Sequence, residues 1–275
     1  MTVSETDTAL VRRRAADGVT TLSLNRPADG NAMTQPLWEA LHAALAAAAA
    51  DEACRVIVVT GEGPVFCAGA DIDRLRGFAE GAPADIPETR PDPEIPGALD
   101  LPPGFDDRWS YLARIPKPVI ASLNGAAVGS GFALSMFCDI RFAARDAKLS
   151  SGFARLGLIG EMALPWILSR IAGPHVAADI LFSARIVSGE EAAGLGLVNR
   201  AVERDRLAAE VQSYAAAMAR EISPGAIRTM KTQLWRGLEQ SLDQAVDEYY
   251  PAMAESFRSE DFRQRAAALL ARLKA

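Results

Sequence analysis

An α/β core followed by a helical C-terminal region is the fold class this sequence predicts, on three observations. Short β-branched runs alternate with helix-like patterns through the first third of the chain, and the alternation returns after residue 109. Two glycine-rich turns each follow such a run and open a helical pattern. From about Pro165 onward the pattern is mostly helical. The 275 residues, 49% of them hydrophobic, suffice for one large domain or two around a sizeable core.

In order, "VTTLSLN" (19–25) reads as a strand, and a helix follows from about Thr34 to Ala50 with Thr34 as its N-cap. "RVIVVTG" (55–61) is a second strand, and "FCAGADI" (66–72) is its sequel, with small residues where a strand ends and Asp71 at a helix start. Residues 78–107 hold seven prolines and no periodicity, which predicts a surface loop or a partly disordered insertion. Regular structure resumes with "WSYLARI" (109–115), the β-branched "KPVIASLNG" (117–125), the turn "NGAAVGSG" (124–131), a buried helix "GFALSMFCD" (131–139) and the strand "IRFAA" (140–144). A capping box is expected at Ser188 to Glu191, a short strand in "GLVNRAV" (196–202), and helices over 204–221, 224–238 and 242–272. This divides the chain into a core over 1–200 and a helical region over 201–275. The sequence shows no internal repeat strong enough to set a solenoid period.

A formal charge of −6 offers no broad basic surface, so nucleic acid is disfavoured as the main partner and a small molecule fits better. Cys54, Cys67 and Cys138 lie far apart without a CxxC pair, which argues against a zinc site or a disulfide framework and for a reduced, cytoplasmic protein. "MTVSETDTAL" lacks the pattern of a signal peptide, and no run of eighteen apolar residues offers a membrane span.

The two turns carry the chemical argument. Small side chains leave the backbone bare, and bare amides at a helix start attract an oxygen bearing negative charge. If both turns face one cleft, the amides of Ala70 and Ser130 together can hold one carbonyl oxygen as it becomes an oxyanion or enolate. Loss of one donor from such a pair typically costs about 10²- to 10³-fold in rate. For either turn alone the plainer account is a tight connection in which glycine supplies positive φ. A dinucleotide fingerprint fails, because Gly129 and Gly131 are followed by Leu134 where a third glycine belongs.

Together with "LNRPADGNAM" (24–33), the two turns resemble the crotonase superfamily, also called the enoyl-CoA hydratase/isomerase family. The resemblance runs from about Thr20 to the C-terminus through "GPVFCAGADI", "KPVIASLNGAAVGSG", "CDIRFAARDAKLS", "LGLIGEMALPWILSRIAG" and "SGEEAAGLGLVNRAV", in matching order and spacing, with residues 78–107 lacking a counterpart. It implies a spiral of ββα units, a C-terminal helical region that exchanges contacts in a homotrimer or a dimer of trimers, and an acyl-CoA thioester as substrate, with coenzyme A part of that substrate and no separate cofactor or metal. The implied oxyanion donors are the amides of Ala70 and Ser130, the same pair the bare backbone indicates. Ser130 stands where the family commonly has glycine. Residues Ala68, Ala70, Asp71 and Ile72 are implied to meet the adenine end of coenzyme A, with Arg26 near the pantetheine or phosphate region.

Family hydratases flank the double bond with two glutamates, one to activate water and one to donate a proton. Here those positions are Ala133 and Phe153, and neither transfers protons. Glu161, eight residues past Phe153 in an otherwise apolar run, matches the single carboxylate of peroxisomal-type Δ3,Δ2-enoyl-CoA isomerases. The same slot resembles that of the aspartate in the phenylacetate-pathway isomerase and in 4-chlorobenzoyl-CoA dehalogenase, where it is the nucleophile. The expectation is an enoyl-CoA isomerase with Glu161 as acid and base, partly desolvated among Leu158, Ile159, Met162, Leu164 and Trp166. The alternatives are a hydratase, a hydrolase or dehalogenase, a member that binds CoA esters without catalysis, and a Glu161 that only caps a helix or pairs at the surface.

Other residues carry plainer readings. His42 and His175 lack ligand clusters and are structural or surface groups. Ser130 lacks the GxSxG elbow and a paired histidine, so its part is played by its backbone. Asp139 is read as a structural hydrogen-bonding residue; Trp109 and Tyr111 either line an acyl pocket or pack. Lys231 and Lys274 are expected on a solvated helix face, with a phosphate contact as the alternative.

Overall fold

The computed structural model of the chain describes residues 9–82 and 94–274. Strands β1 (Val11–Ala16) and β2 (Val19–Leu24) form an antiparallel hairpin. Asp17 and Gly18 turn it, both at positive φ (53° and 76°), the conformation that a tight two-residue hairpin turn favours. Helix α1 (Gln35–Ala50) starts at Thr34, whose Oγ1 accepts the Leu37 amide at 3.2 Å. Its buried stripe of Leu37, Leu41, Leu45 and Ala48 repeats every three to four residues and packs on β1 and β2.

Three strand pairs come next along the chain: β3 (Val56–Gly61) with β4 (Val65–Cys67), β5 (Val119–Leu123) with β6 (Ala126–Val128), and β7 (Ile140–Ala144) with β8 (Lys148–Ser150). Helix α2 (Ile72–Ala79) closes the first pass and α3 (Ser130–Met136) the second. The third closes with a 3-10 turn at Phe153–Leu156 and helix α4 (Leu164–Ser183). In each pass the first strand joins one sheet and the second joins another. Among the described residues the larger sheet therefore has the order β1-β2-β3-β5-β7-β10 and the smaller β4-β6-β8-β9, where β9 is Val187–Ser188 and β10 is Arg200–Val202. Neighbours β2 through β10 in the larger sheet run parallel, and so do β4, β6 and β8. This is the expected spiral of ββα units. β5 is buried at every position, as a parallel strand covered on both faces must be, with α1 and α6 (Arg204–Glu221) among the covering helices.

After α5 (Gly189–Gly194) and α6 the chain ends in α7 (Pro224–Arg236), α8 (Leu242–Arg258) and α9 (Glu260–Lys274). The helix expected over 242–272 is thus two. Ser259 is extended (φ −66°, ψ 146°) and its Oγ accepts the Phe262 amide at 3.1 Å, so one serine stops α8 and caps α9. The capping box expected at Ser188 is half formed: Ser188 Oγ accepts the Glu191 amide, but the Glu191 carboxylate pairs with Arg185. A complete box stands at Ser241 and Gln244. α4 bends at Gly173–Pro174, where Gly173 takes φ 81° and ψ 162°.

Part of the segment expected as a surface insertion, residues 83–93, lies outside the described residues. The flanks correct the expectation. α2 extends to Ala79, and Ile95, Leu99, Leu101 and Phe105 are buried in the core. Trp109 and Tyr111 are fully buried as well.

Lys231 is neither solvated nor turned toward a phosphate: it is 5% exposed and donates to the Asp139 carboxylate at 2.7 Å and to the carbonyls of Leu112 and Lys117. Asp139 also accepts the Val119 amide and Trp235 Nε1, so one carboxylate fastens α7 to the start of β5, the structural role expected of it. The Lys274 side chain lies outside what is described. Lys231→Met leaves a partly buried carboxylate without its counter-charge, and loss of up to about 3 kcal/mol is expected, the lower end of what breaking a buried pair costs. Urea unfolding is expected to show that loss, while affinity for an acyl-CoA stays unchanged.

Candidate active site

β4 and β6 lie side by side and parallel, with Cys67 opposite Ala127, so the turns leaving them emerge at the same end of the smaller sheet. Gly69 (φ 104°) and Gly129 (φ 51°) both take left-handed backbone. Any side chain on Gly69 would stand 3.0 Å from the Val128 carbonyl oxygen, and one on Gly129 would stand 3.8 Å from Gly69 Cα. The two turns therefore touch through backbone, and Ala70 and Ser130 follow directly on this contact. Neither amide donates a hydrogen bond within the described residues. Both precede or open helices, whose first-turn amides lack internal partners and add the positive end of the dipole.

Beneath the turns, Gly131 is pressed onto Cys67: a Cβ there would lie 2.5 Å from both Cys67 Cβ and the Cys67 carbonyl oxygen. Burial pushes the Cys67 thiol up to about 11, so at neutral pH it is a neutral packing group and no nucleophile. Sequence reasoning assigned Cys67 and Gly131 no part in positioning the turns. A small-residue pair on neighbouring strand ends was the available signal.

Two residues assigned to the coenzyme A end, Arg26 and Asp71, meet in one ion-pair network. Arg26 donates to Asp71 at 3.1 Å, to Asp29 at 2.9 Å and to the Ala32 carbonyl at 2.7 Å. Asp71 also caps α2, accepting the Asp73 amide at 3.1 Å. Ala68 and Ala70 are exposed beside it, and Ile72 opens α2. Met33 ties the loop to the first turn, donating to the Gly69 carbonyl at 2.7 Å. Asn31, fully buried at φ 54°, accepts the Arg26 amide and donates to the carbonyls of Glu62 and Val65. Its role went unnoticed in the sequence, although a lone Asn after Gly in a loop favours such a conformation.

Phe153 is buried, with its ring 3.9 Å from the place a Gly129 side chain would occupy. Ala133 is fully buried in α3. Of the two positions that carry glutamates in family hydratases, the Phe153 one thus stands against the second turn. Glu161 lies in the loop before α4, followed by Met162 and Ala163 at φ 57° and 53°. Two consecutive non-glycine residues in left-handed backbone are strained. Trp109 Nε1 donates to Met162 Sδ at 2.9 Å, fixing the strained pair to the core. Glu161 itself is exposed, and its carboxylate has no hydrogen bond or ion pair among the described residues. Partial desolvation of this acid is therefore not a property of the single chain: its neighbours Leu156, Leu158 and Ile159 are exposed too, Ile159 by 82%.

His42 stacks on Trp38 at 5.7 Å between ring centroids, and burial lowers its basicity; His175 is exposed at the α4 bend. Cys54, Cys67 and Cys138 are free and buried, and among the described residues no cluster of metal-ligating side chains occurs. No described helix is long and apolar enough to cross a membrane.

Two sheets threaded by ββα passes, with abutting turns at one sheet end, define an enzyme of the crotonase type. The chain belongs to the enoyl-CoA hydratase/isomerase family, whose sequence pattern matches residues 14–274. It is 33% identical to a probable enoyl-CoA hydratase of Rhizobium meliloti, over 98% of this chain and 97% of that one. It is 30% identical to the 1,2-epoxyphenylacetyl-CoA isomerase of Escherichia coli, over 93% of each. A crystal structure of an enoyl-CoA hydratase from Polaromonas sp. JS666 superposes with a TM-score of 0.84, at 26% identity over 95% of this chain and 97% of the other.

Gly131→Ala is expected to force the turns apart. Overpacking of this kind costs ~1–3 kcal/mol, and Cys67→Ala does not rescue it because a backbone oxygen is among the atoms met. Thermal unfolding of the single and double variants measures this.

Proposed function

We propose that this family member isomerises enoyl-CoA thioesters, with Glu161 as the one acid and base and the amides of Ala70 and Ser130 as oxyanion donors. The observation that carries the reading is the backbone contact between the two turns, which leaves two unpartnered amides following directly on one point. The thioester oxygen accepts both. The acidity of the α-carbon rises as the developing enolate charge is met by donors that need no rearrangement. The Glu161 carboxylate takes the α-proton of a 3-enoyl thioester, and the electron pair spreads into a dienolate. The same carboxyl group returns the proton at the γ-carbon, which moves the double bond into conjugation with the carbonyl.

Ala133 and Phe153 support this over hydration, since a hydratase of the two-glutamate kind needs titratable groups where these stand. Hydration through Glu161 alone is the second reading, favoured by the hydratase names of several relatives. At the coenzyme A end, Ala68 to Ile72 receive the adenine, and Arg26, braced by Asp29 and Asp71, faces the pantetheine or phosphate region. The enzyme requires no cofactor beyond the coenzyme A of its substrate and works in the cytoplasm, in keeping with its unpaired cysteines.

Further copies of the chain complete the site in a homotrimer or a dimer of trimers assembled through residues 201–275. The apolar groups left uncovered support this. α8 buries no side chain, and Tyr250, Phe257, Leu269 and Leu273 are more than half exposed, as are Phe182 and Ile186. Exposed apolar surface on this scale is rare on a stable monomer. A second copy seated on Ile159 would supply the desolvation that Glu161 lacks alone.

Glu161→Gln is expected to lower kcat on a 3-enoyl-CoA by about 10²- to 10⁴-fold with little change in Tm; unchanged turnover would remove Glu161 as the base. In deuterated water the isomerase reading predicts a 2-enoyl product carrying deuterium, whereas hydration gives a hydroxyacyl product. Sedimentation is expected to give a trimer or hexamer, and Ile159→Asp to weaken assembly and activity together.

A further inference from the structure

A cavity lies at the end of the larger sheet where β3 and β5 begin. Its volume is about 270 Å³, and it opens where Cys54–Arg55 lead into β3 and Pro116–Pro118 lead into β5. Both strands run parallel away from this cavity, and the Gly69 and Gly129 turns, which line none of it, follow one strand later. Much of its wall is apolar, with Pro116, Met218, Ile222 and Ile227 contributing, and the first turn of α7 closes one side. That turn adds the positive end of a thirteen-residue helix.

Arg55, Lys117 and Arg228 also line it, and no carboxylate does. None of the three forms an ion pair among the described residues. Arg55 donates to the Ile222 carbonyl at 3.2 Å and Arg228 to the Gly97 carbonyl at 2.7 Å, each using one of a guanidinium's five donors. Lys117 holds the end of α1 by donating to the carbonyls of Ala48 and Asp51. The nearest acids form their ion pairs outside the cavity, Asp51 with Arg13 and Asp261 with Arg265, and act on Lys117 and Arg55 only at longer range. Burial is the main cause holding the Lys117 ammonium below its ordinary value; Cys54 and the Asp51 charge oppose it, and the Arg55 charge adds to it. Three cations around one apolar hollow with no carboxylate in its wall, in a chain of net charge −6, favour an anion there.

We propose that this cavity binds a short-chain aliphatic carboxylate, its head between Arg55 and Arg228 and its chain against Met218, Ile222 and Ile227. The volume lies below the roughly 300–1,000 Å³ of sites for drug-sized ligands, which selects a small acid over a nucleotide or an acyl-CoA. An apolar wall selects an alkyl carboxylate over inorganic phosphate. This site is independent of the isomerase reading.

The test is calorimetric titration of the full-length protein with hexanoate, with sodium phosphate as the control, in the presence and absence of butanoyl-CoA. The expected result is saturable hexanoate binding, one per chain, that butanoyl-CoA does not displace and that phosphate does not mimic. Arg228→Gln and Arg55→Gln should each weaken it at least tenfold while butanoyl-CoA binding and Tm stay as in the parent. Arg228 is exposed, so its variant keeps the test open should Arg55→Gln fail to fold. Displacement by butanoyl-CoA would assign the binding to the active site and overturn the proposal. So would equal binding of phosphate, or hexanoate affinity unaltered by both substitutions.

Discussion

Everything at the candidate site depends on two turns being able to touch through backbone alone. Gly69 and Gly129 accept left-handed conformations and leave no side chain between the strand ends, and Gly131 lies flat against Cys67. The spiral topology supplies the rest of the constraint. Because β4 and β6 are parallel neighbours, each ββα pass delivers a bare strand end and a helix start to the same edge. Two amides can follow on one point without any side chain being ordered, and so without loss of rotamer entropy.

The surroundings hold that edge still. Asn31 and Arg26 lock the loop before α1 to the first turn, and Asp71 both caps α2 and accepts Arg26. Phe153 fills the space beside Gly129. On the far side, the Met162–Ala163 pair stores backbone strain next to Glu161 and is pinned by Trp109. Strain persists where the surroundings over-determine it, and it clusters at working sites. Apolar side chains lie exposed around Glu161 and along α8 and α9, so in the single chain this acid faces solvent.

The parts of the fold written in local chemistry were legible in the sequence. Thr34 and Asp71 cap the helices they were expected to open, the β-branched runs at 56–61 and 119–123 are strands, and the buried helix expected over 131–139 is present but ends at Met136. The turns were recognisable because two matched strand-to-helix turns of bare backbone occur in one chain, whereas either alone reads as a tight connection. The features that escaped depend on distant partners. Lys231 looked like a solvated lysine because its carboxylate lies 92 residues away. Ile95, Leu99 and Leu101 enter the core from a segment without periodicity, so no pattern announced them. Ser259 divides α8 from α9 with a capping hydroxyl inside a run that otherwise reads as one helix. The basic cavity was invisible because Arg55, Lys117 and Arg228 are brought together by three separate segments.

The most direct measurement is a crystal structure with a non-reacting acyl-CoA bound, reporting the position of the thioester oxygen. The account predicts that oxygen about 2.7–3.1 Å from the amide nitrogens of both Ala70 and Ser130, with the Glu161 carboxylate over the α-carbon. A thioester oxygen turned away from either amide would contradict it.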